Sequence, residues 1–352
     1  MSLNKLKCHN YNYYRTFAGE IINTTKRTKV IMRLPKRLTR IVITLLCLFA
    51  LFITSDDVVR AVTNRSASAK PAHKDINVEE NINDRLTITT NFNANEYREG
   101  SWDVTTNTLS FSTKIHTPDA KPVPNSDVSV CWDGWHTVSA DATINANVTL
   151  MGNTHLILCD GATLTINGCI IGNGGGSNHE LHIYGQGTGT GKLIIQNDVA
   201  SQPPLNAICE LKIHGGEVKA STSADYCSGI QAPVDIRVYG GKLTAENTAN
   251  VGYGINASSR FMFIYGGEVV AKGKGAAENS SYGMLLNTVT VFGGKLQASN
   301  PDGNGSSSYA IKGYFKVGPG VSFYGSTQGS SWTKISTSPY PAVSSLNYIK
   351  AN

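Results

Sequence analysis

The chain has 352 residues, of which 35 are glycine and only 16% are charged. This composition is typical of stacked strands joined by tight turns and disfavours a protein built from surface helices. The net charge of +6 comes from residues 1–40, which carry ten Lys and Arg against one acid, Glu20. The remaining residues are slightly negative, which excludes the basic surface that nucleic-acid binding requires.

A targeting segment explains the basic N-terminus. Four Lys and Arg within residues 33–40 precede an apolar run, Ile41 to Thr54, that is too short to span a bilayer and suits a signal peptide. Val59-Arg60-Ala61 provides a small-residue cleavage site, so removal of residues 1–61 leaves no membrane span. We expect a secreted or cell-surface protein, with an uncleaved anchor as the alternative and Met32 as a candidate for the true start.

Two segments precede the main domain. Residues 62–84 are polar and lack apolar periodicity, so they are interpreted as a linker. Residues 85–131 contain short alternating runs such as Leu109-Ser-Phe111-Ser. We predict that this second segment is a small N-terminal β cap, because an uncovered end of a repetitive β structure exposes unpaired strand edges.

Internal repeats occupy much of residues 132–330. Glycine pairs begin at residues 215, 240, 266 and 293, and each is flanked by apolar residues in alternation. A second marker keeps the same phase in four segments: CSGI (227–230), YGIN (253–256), YGML (282–285) and YAIK (309–312). Two markers that share one spacing indicate a true repeat of about 26 residues.

The repeat predicts an all-β fold. Strict alternation marks strands with one buried face, and no segment after residue 62 has a convincing helical period. A unit of about 26 residues buries its apolar face only by stacking on neighbours, whereas a propeller blade needs about 40 residues. We therefore predict a parallel, right-handed β-helix over residues 132–330 and a C-terminal cap or tail over residues 331–352. The glycine pairs supply either positive φ angles or close coil approach at a corner.

Equivalent residues of adjacent coils stack in columns about 4.8 Å apart, and two columns carry information. The residue after each glycine pair alternates in sign, which favours correct register. This column consists of Glu217, Lys242, Glu268 and Lys295. The residue before each glycine pair is aromatic and points outward, away from the core. These rings, which we call the aromatic column, are Tyr184, His214, Tyr239, Tyr265 and Phe292.

The aromatic column is the main candidate for ligand binding, because sugar rings pack their C–H faces against aromatic rings. Lys212 and Arg237 lie two residues earlier on the same face and are predicted to bind the carboxylate of an acidic sugar. Asp235 is placed to pair with Arg237. The alternative is that the rings only stack on one another and stabilise the solenoid.

Catalytic and cofactor sites are weakly indicated. Asp235, Arg237 and Lys212 resemble part of a calcium-dependent polysaccharide lyase site but supply one carboxylate rather than several. The acids available for a hydrolase lie near turns in different coils: Asp198, Glu210, Asp225 and Glu246. We predict no catalytic residue and no cofactor, with calcium left as a possibility.

Five cysteines follow the cleavage site: Cys131, Cys159, Cys169, Cys209 and Cys227. Their odd number leaves at least one thiol unpaired within the chain, and the lack of a CxxC pair disfavours zinc. We interpret them mainly as small residues buried in the coils, although an oxidising compartment permits disulfides.

The stretch WDGWHTVSADATINANVTLMGNTHLILCDGATLTING (132–168), followed by LHIYGQGTGTGKLII and the glycine-pair repeats, resembles bacterial secreted proteins with repeat-rich, carbohydrate-binding-type β-helix domains. The Gly-rich GxGIGGG-like run of those proteins is replaced here by YGIN, YGML and YAIK. The resemblance implies secreted or surface placement and polysaccharide binding, sometimes with calcium. We expect a non-catalytic polysaccharide-binding or adhesion protein. The alternatives are a lyase or hydrolase acting on acidic glycans, and a structural adhesin that binds a host protein.

Overall fold

A computed structural model describes residues 93–172, 179–206, 210–232, 234–275, 281–303, 308–335 and 346–352. Strands are the only regular elements in these ranges, so the all-β prediction is confirmed. The targeting segment and the linker lie outside the described residues. Among the residues that are described, no helix has the length and apolar character needed to cross a membrane.

The first twelve strands form the N-terminal segment and the early coils. They are β1 (Glu96–Asp103), β2 (Thr108–Ile115), β3 (Lys121–Pro122), β4 (Val130–Val138), β5 (Ala142–Ile144), β6 (Val148–Leu158), β7 (Thr163–Asn167), β8 (Ile170–Gly172), β9 (Glu180–Gly185), β10 (Lys192–Gln196), β11 (Leu205–Asn206) and β12 (Glu210–Ile213).

The strands of the second half complete the repeats and the C-terminal segment. They are β13 (Glu217–Thr222), β14 (Cys227–Gln231), β15 (Ile236–Val238), β16 (Lys242–Asn247), β17 (Gly252–Ile264), β18 (Glu268–Lys272), β19 (Tyr282–Val291), β20 (Lys295–Ser299), β21 (Tyr309–Val317), β22 (Phe323–Ser326), β23 (Thr333–Ile335) and β24 (Tyr348–Ala351).

Parallel pairing between equivalent strands builds the solenoid. β13 pairs with β16, β16 with β18 and β18 with β20, which continues a ten-stranded sheet that begins at β5. A twelve-stranded sheet covers the rest of each coil. Some of its strands are long enough to pair with two strands of the preceding coil: the first part of β17 pairs with β14 and its last part pairs with β15. The prediction of stacked parallel coils is therefore confirmed, whereas their handedness stays a prediction.

The core is filled by inward columns of apolar residues, as the alternation predicted. Leu243 and Ala245 of β16 align with Val218 and Ala220 of β13, and all four are fully buried. Each coil contributes the same small set of side chains, so the core continues along the solenoid. This burial supplies most of the driving force for folding, at roughly 25 cal/mol per Å² of apolar surface.

The segments before and after the coils have different roles. Residues 121–126 pair with the first coils through β3 and the Ser126–Ile144 bridge. The β1–β2 hairpin contacts side chains from several coils. That residues 85–131 form a cap stays a prediction. At the other end β24 pairs antiparallel with both β20 and β22.

The alternating charge column has the predicted register. Glu217 aligns with Lys242, Lys242 with Glu268 and Glu268 with Lys295, and Lys192 extends the column by one coil. The Lys192–Glu217 and Lys242–Glu268 pairs have N–O distances of 3.6 Å. Lys219, Glu246 and Lys272 form a second set of ion pairs on the same face. Both sets alternate in sign, which supports the structural interpretation.

We expect Lys242→Glu to lower the free energy of unfolding by about 1 kcal/mol, because it places a carboxylate between Glu217 and Glu268. Urea unfolding followed by circular dichroism measures the change, and 1 M salt should reduce it by screening. Lys334→Glu is the control, since Lys334 is exposed and lies outside this column. Equal losses for the two variants would contradict a register role for the alternation.

Four cysteines of the described residues are free thiols: Cys131, Cys159, Cys169 and Cys227. Cys131 is exposed, whereas the other three are buried within the coils. Burial raises the pKa of Cys169 to about 11 and disfavours its reactive thiolate form. These positions fit the interpretation of small packing residues. Cys209 lies outside the described residues.

Candidate functional site

The aromatic column is a continuous stack of rings on the outward face of the twelve-stranded sheet. The centroid of the His214 ring lies 4.7 Å from that of Tyr184 and 4.8 Å from that of Tyr239. Tyr239 and Tyr265 are 5.0 Å apart, and Tyr265 and Phe292 are 5.3 Å apart, with interplanar angles of 20° and 7°. The predicted five-ring column is therefore confirmed. Its spacing follows the distance between coils, since each coil contributes one ring.

Most of this column is covered by another part of the chain. The β1–β2 hairpin runs along the column and covers it. Tyr97 packs on Tyr184, and Trp102 packs on Tyr265 and Phe292 at centroid distances of 5.1 and 5.0 Å. Only 1% of Tyr184, 5% of His214 and 9% of Tyr265 remains exposed. Tyr239 and Phe292 are half-buried, so the hairpin leaves only parts of these two rings accessible to a glycan.

The hairpin is suited to this position because its two faces differ. Trp102, Leu109 and Phe111 lie on the inner side, where Leu109 and Phe111 reach the backbone at Gly266 and Gly240. The other face carries a Lys114–Glu99 ion pair and a hydrogen bond of 2.9 Å between the Ser101 and Ser110 hydroxyls, and at its N-terminal end it presents Tyr97 to Tyr184. A two-stranded sheet is marginal alone, so packing on the rings stabilises it.

Gly100 allows the hairpin backbone to approach the column closely. A side chain there would place its Cβ 2.6 Å from the Cβ of Tyr239. The Gly100 N–H is also within donor distance, 3.2 Å, of His214 Nδ1. Sequence reasoning identified alternating residues in this segment but not their location, because contacts between a non-repetitive segment and a distant coil leave no periodic signal.

Beside the covered column lies a second surface, which we call the open strip. It consists of two outward columns of the same sheet, which lie two and four residues before the aromatic column in the sequence of each coil. The first column contains His182, Lys212, Arg237, Phe263, Thr290 and Lys316, and the second contains Glu180, Glu210, Asp235, Phe261, Thr288 and Tyr314. The second column covers six coils, or roughly 24 Å at the usual strand spacing.

Ion pairs hold the charged side chains of the open strip in place. These side chains belong to the coils of β9, β12 and β15, which we call the charged half. Lys212 Nζ lies 2.9 Å from Glu180 Oε2 and 3.1 Å from Glu210 Oε2. Arg237 donates from Nε to Glu210, and its NH2 atom lies 3.7 Å from Asp235 Oδ2, so the predicted pairing of Asp235 with Arg237 is confirmed. Sequence reasoning missed Glu180 and Glu210 as neighbours of these cations. The aligned strands β9, β12 and β15 could have identified them.

A hydrogen-bonded chain joins the open strip to the covered column. His182 Nε2 lies 2.7 Å from Glu180 Oε2, and the Tyr184 hydroxyl lies 3.1 Å from His182 Nδ1 and 3.0 Å from His155 Nδ1. Because the carboxylate only accepts, neutral His182 donates from Nε2 and accepts from Tyr184 at Nδ1. Burial lowers the pKa of His182 more than Glu180 raises it, which favours this neutral form.

The pKa shifts of Lys212, Arg237 and Glu180 on the open strip do not suit polysaccharide cleavage. Burial opposes the charges of Lys212 and Arg237, but hydrogen bonds to carboxylates outweigh burial and raise both pKa values. Neither cation is therefore suited to act as a lyase base. Burial raises the pKa of Glu180, yet hydrogen bonds from His182 and Lys212 outweigh it and lower the pKa overall. Glu180 is thus unsuited to donate a proton as a hydrolase acid.

The other acids considered for hydrolysis make local structural contacts. Asp198 accepts from the Ser223 N–H at 2.8 Å, and Asp225 accepts from the Asn250 N–H at 2.9 Å. Glu246 pairs with Lys219 and Lys272. In the part of the chain that the structure describes, no group of three or more His, Cys, Asp or Glu is placed to hold a metal ion.

Comparison with known proteins finds no matching family model, no matching curated protein and no matching solved structure.

Proposed function

We propose that this protein is a secreted or cell-surface protein that binds polysaccharide without cleaving it, and that the ligand lies on the open strip. The observation that carries the proposal is the exposure of two rings in one column. Phe261 is 41% exposed and Tyr314 is 53% exposed, and they stand two coils apart, or about 10 Å. Such rings offer apolar faces to sugars at successive positions along a polymer.

Polar groups beside these rings support the same proposal. Arg237 and Asp235 lie in the coil before Phe261, and both carry hydrogen-bonding atoms suited to sugar hydroxyls. Their mutual ion pairs hold them in fixed positions, which reduces the entropy lost when a ligand binds. The guanidinium of Arg237 also lies over Phe263, 4.8 Å from the ring centroid. In this proposal the aromatic column, which the hairpin covers, has a structural role and supports the neighbouring open strip.

The charges favour a neutral polymer backbone. Glu180, Glu210 and Asp235 contribute three carboxylates against the two cations Lys212 and Arg237, so this part of the strip is net negative. A polyanion would meet like charge there and would have to displace existing ion pairs. Secretion rests on residues 33–61 of the sequence. The raised pKa values of Lys212 and Arg237 and the lowered pKa of Glu180 disfavour cleavage by these three groups.

Affinity electrophoresis tests the proposal. We expect the purified protein to be retarded in gels that contain soluble neutral polysaccharides, with xyloglucan, galactomannan and mixed-linkage glucan as probes. The double variant Phe261→Ala plus Tyr314→Ala should weaken retardation about tenfold or more, as loss of central aromatic contacts does at binding surfaces.

Tyr226→Ala is the matched control, because Tyr226 is 71% exposed but lies in the turn before β14, away from the open strip. Its retardation should equal that of the unmodified protein. If the folded protein is not retarded by any polysaccharide, the proposal fails and the adhesin alternative is favoured. Retardation that survives loss of both rings would place the ligand elsewhere.

A further inference from the structure

A cavity of about 480 Å³ opens at the corner of the coil next to the open strip. It is lined by Gln231, Ala232, Asn256, Ser258, Ser259 and Arg260. Its wall is a bulge in β17, where three residues lie between Ala257 and Phe261. In the next coil a single residue, Asn287, separates the equivalent Leu286 and Thr288. Bulges of this kind redirect side chains and are common beside binding sites.

The lining is polar and carries one charge. Gln231 and Asn256 contribute amides, Ser258 and Ser259 contribute hydroxyls, and among the described lining residues Arg260 alone is ionised. The Arg260 guanidinium is exposed, and within the described ranges it forms no ion pair, unlike Arg237. An unpaired guanidinium among hydroxyls and amides suits a carboxylate that is attached to a polyhydroxylated molecule.

The cavity and the open strip are adjacent at the bulge of β17. Arg260, which lines the cavity, is followed directly by Phe261, whose N–H donates to Asp235 Oδ1 at 3.1 Å. Asp235 in turn pairs with Arg237, so the bulge lies next to the charged half of the strip. A polymer that lies over Phe261 would therefore bring its side groups near Arg260.

We infer that this cavity is a subsite for a uronic acid side group of a polysaccharide whose backbone is neutral. The inference rests on the proposed function and adds the identity of the ligand class. The ion-paired and net negative part of the strip around Lys212 and Arg237 favours an uncharged backbone there, whereas Arg260 neutralises one carboxylate per side group. The volume lies within the usual range of small-molecule sites, about 300–1,000 Å³.

A matched pair of polymers tests the inference. Glucuronoxylan carries uronic acid side groups on a neutral backbone, and chemical reduction of its carboxyl groups yields the same polymer without charge. We expect the protein to bind the intact polymer about tenfold or more tightly than the reduced one by isothermal titration calorimetry. That preference should weaken at high salt, because it depends on one charge pair.

Arg260→Gln should remove the preference and leave binding of the reduced polymer unchanged, whereas Arg260→Lys should keep part of it. Lys334→Gln is the control for loss of an exposed positive charge outside the site, and it should bind like the unmodified protein. Arg260 is exposed and forms no ion pair with the residues that the structure describes, so these variants are expected to fold normally.

The outcomes separate the two proposals. Equal affinity for the two polymers, or a preference that survives in Arg260→Gln, overturns the inference while Phe261-dependent binding of neutral polymers still supports the proposed function. Absence of binding to either polymer overturns the inference as stated. Absence of binding to all neutral probes as well overturns the proposed function.

Discussion

Gly267→Ala should lower the free energy of unfolding by about 2–5 kcal/mol, whereas Gly320→Ala should cost about 1–2 kcal/mol. Both glycines have positive φ angles, 73° and 82°, so both changes place a side chain in a left-handed backbone. Only Gly267 also faces a neighbouring coil. Its added Cβ would lie 2.5 Å from the carbonyl oxygen of Gly241, but nothing lies within 4 Å of the same atom at Gly320.

The difference between the two variants therefore isolates the cost of separating adjacent coils. The second glycines of the neighbouring pairs meet the preceding coil in the same way, since an added Cβ at Gly241 would lie 2.3 Å from the carbonyl oxygen of Gly216. The glycine pairs thus provide both positive φ and close coil approach, the two roles that the sequence left open. Urea unfolding midpoints give the comparison, and equal losses would show that close approach is not required.

Acidification from pH 6.5 to pH 4 should loosen the hairpin. Burial, together with repulsion from His182 when that ring is also protonated, lowers the pKa of His214 to about 4, below the value of about 6.5 in the unfolded chain. The unfolded state therefore binds more protons between these two values, and stability falls as the pH drops through this window. Below pH 4 this group makes no further contribution. The loss attributable to His214 is roughly 3 kcal/mol.

Several groups face His214 and shape this response. Glu99 of the hairpin favours its protonated form, whereas Lys212 and His182 oppose it. His155 behaves in the same way, because burial and its neighbour His182 lower its pKa to about 4. Protonation of these stacked rings adds like charges beneath Gly100 and Tyr97. The hairpin is the element that can separate without breaking the coils.

Fluorescence of Trp102 and hydrogen exchange of the hairpin amides measure the loosening. His214→Phe keeps a ring in the stack but removes the titration, so it should reduce the loss between pH 6.5 and pH 4 by about half. His179→Gln, a change at a histidine outside the stack, should leave the loss unaltered. If His214→Phe responds to acid like the unmodified protein, the buried histidine is not responsible.

The repeats made the solenoid predictable from the amino-acid order. A period of two identifies which residues face the core, and a coil of about 26 residues identifies which residues stack. Together these two periods were enough to align Glu217 with Lys242 and His214 with Tyr239, as the structure confirms. Repetition supplies the same local information several times, so irregular copies do not obscure it.

The candidate site was only partly predictable. Lys212 and Arg237 were assigned to the correct face, but their carboxylate partners Glu180 and Glu210 were not recognised together, because those acids occupy strand positions before the glycine-pair motif. The cavity beside Arg260 depends on two extra residues in one coil. An insertion that interrupts the repeat carries no periodic signal, and its shape follows from how neighbouring coils pack around it.

By itself the sequence determined an all-β solenoid, its coil length, its charge alternation and the existence of an outward aromatic column. Only the tertiary structure decided which outward surface is open. The hairpin packs Tyr97 and Trp102 on that column and leaves Phe261 and Tyr314 exposed. The physical reason is that stacking within the solenoid is set by a repeated local pattern, whereas the hairpin contacts join residues far apart in the chain and depend on three-dimensional complementarity.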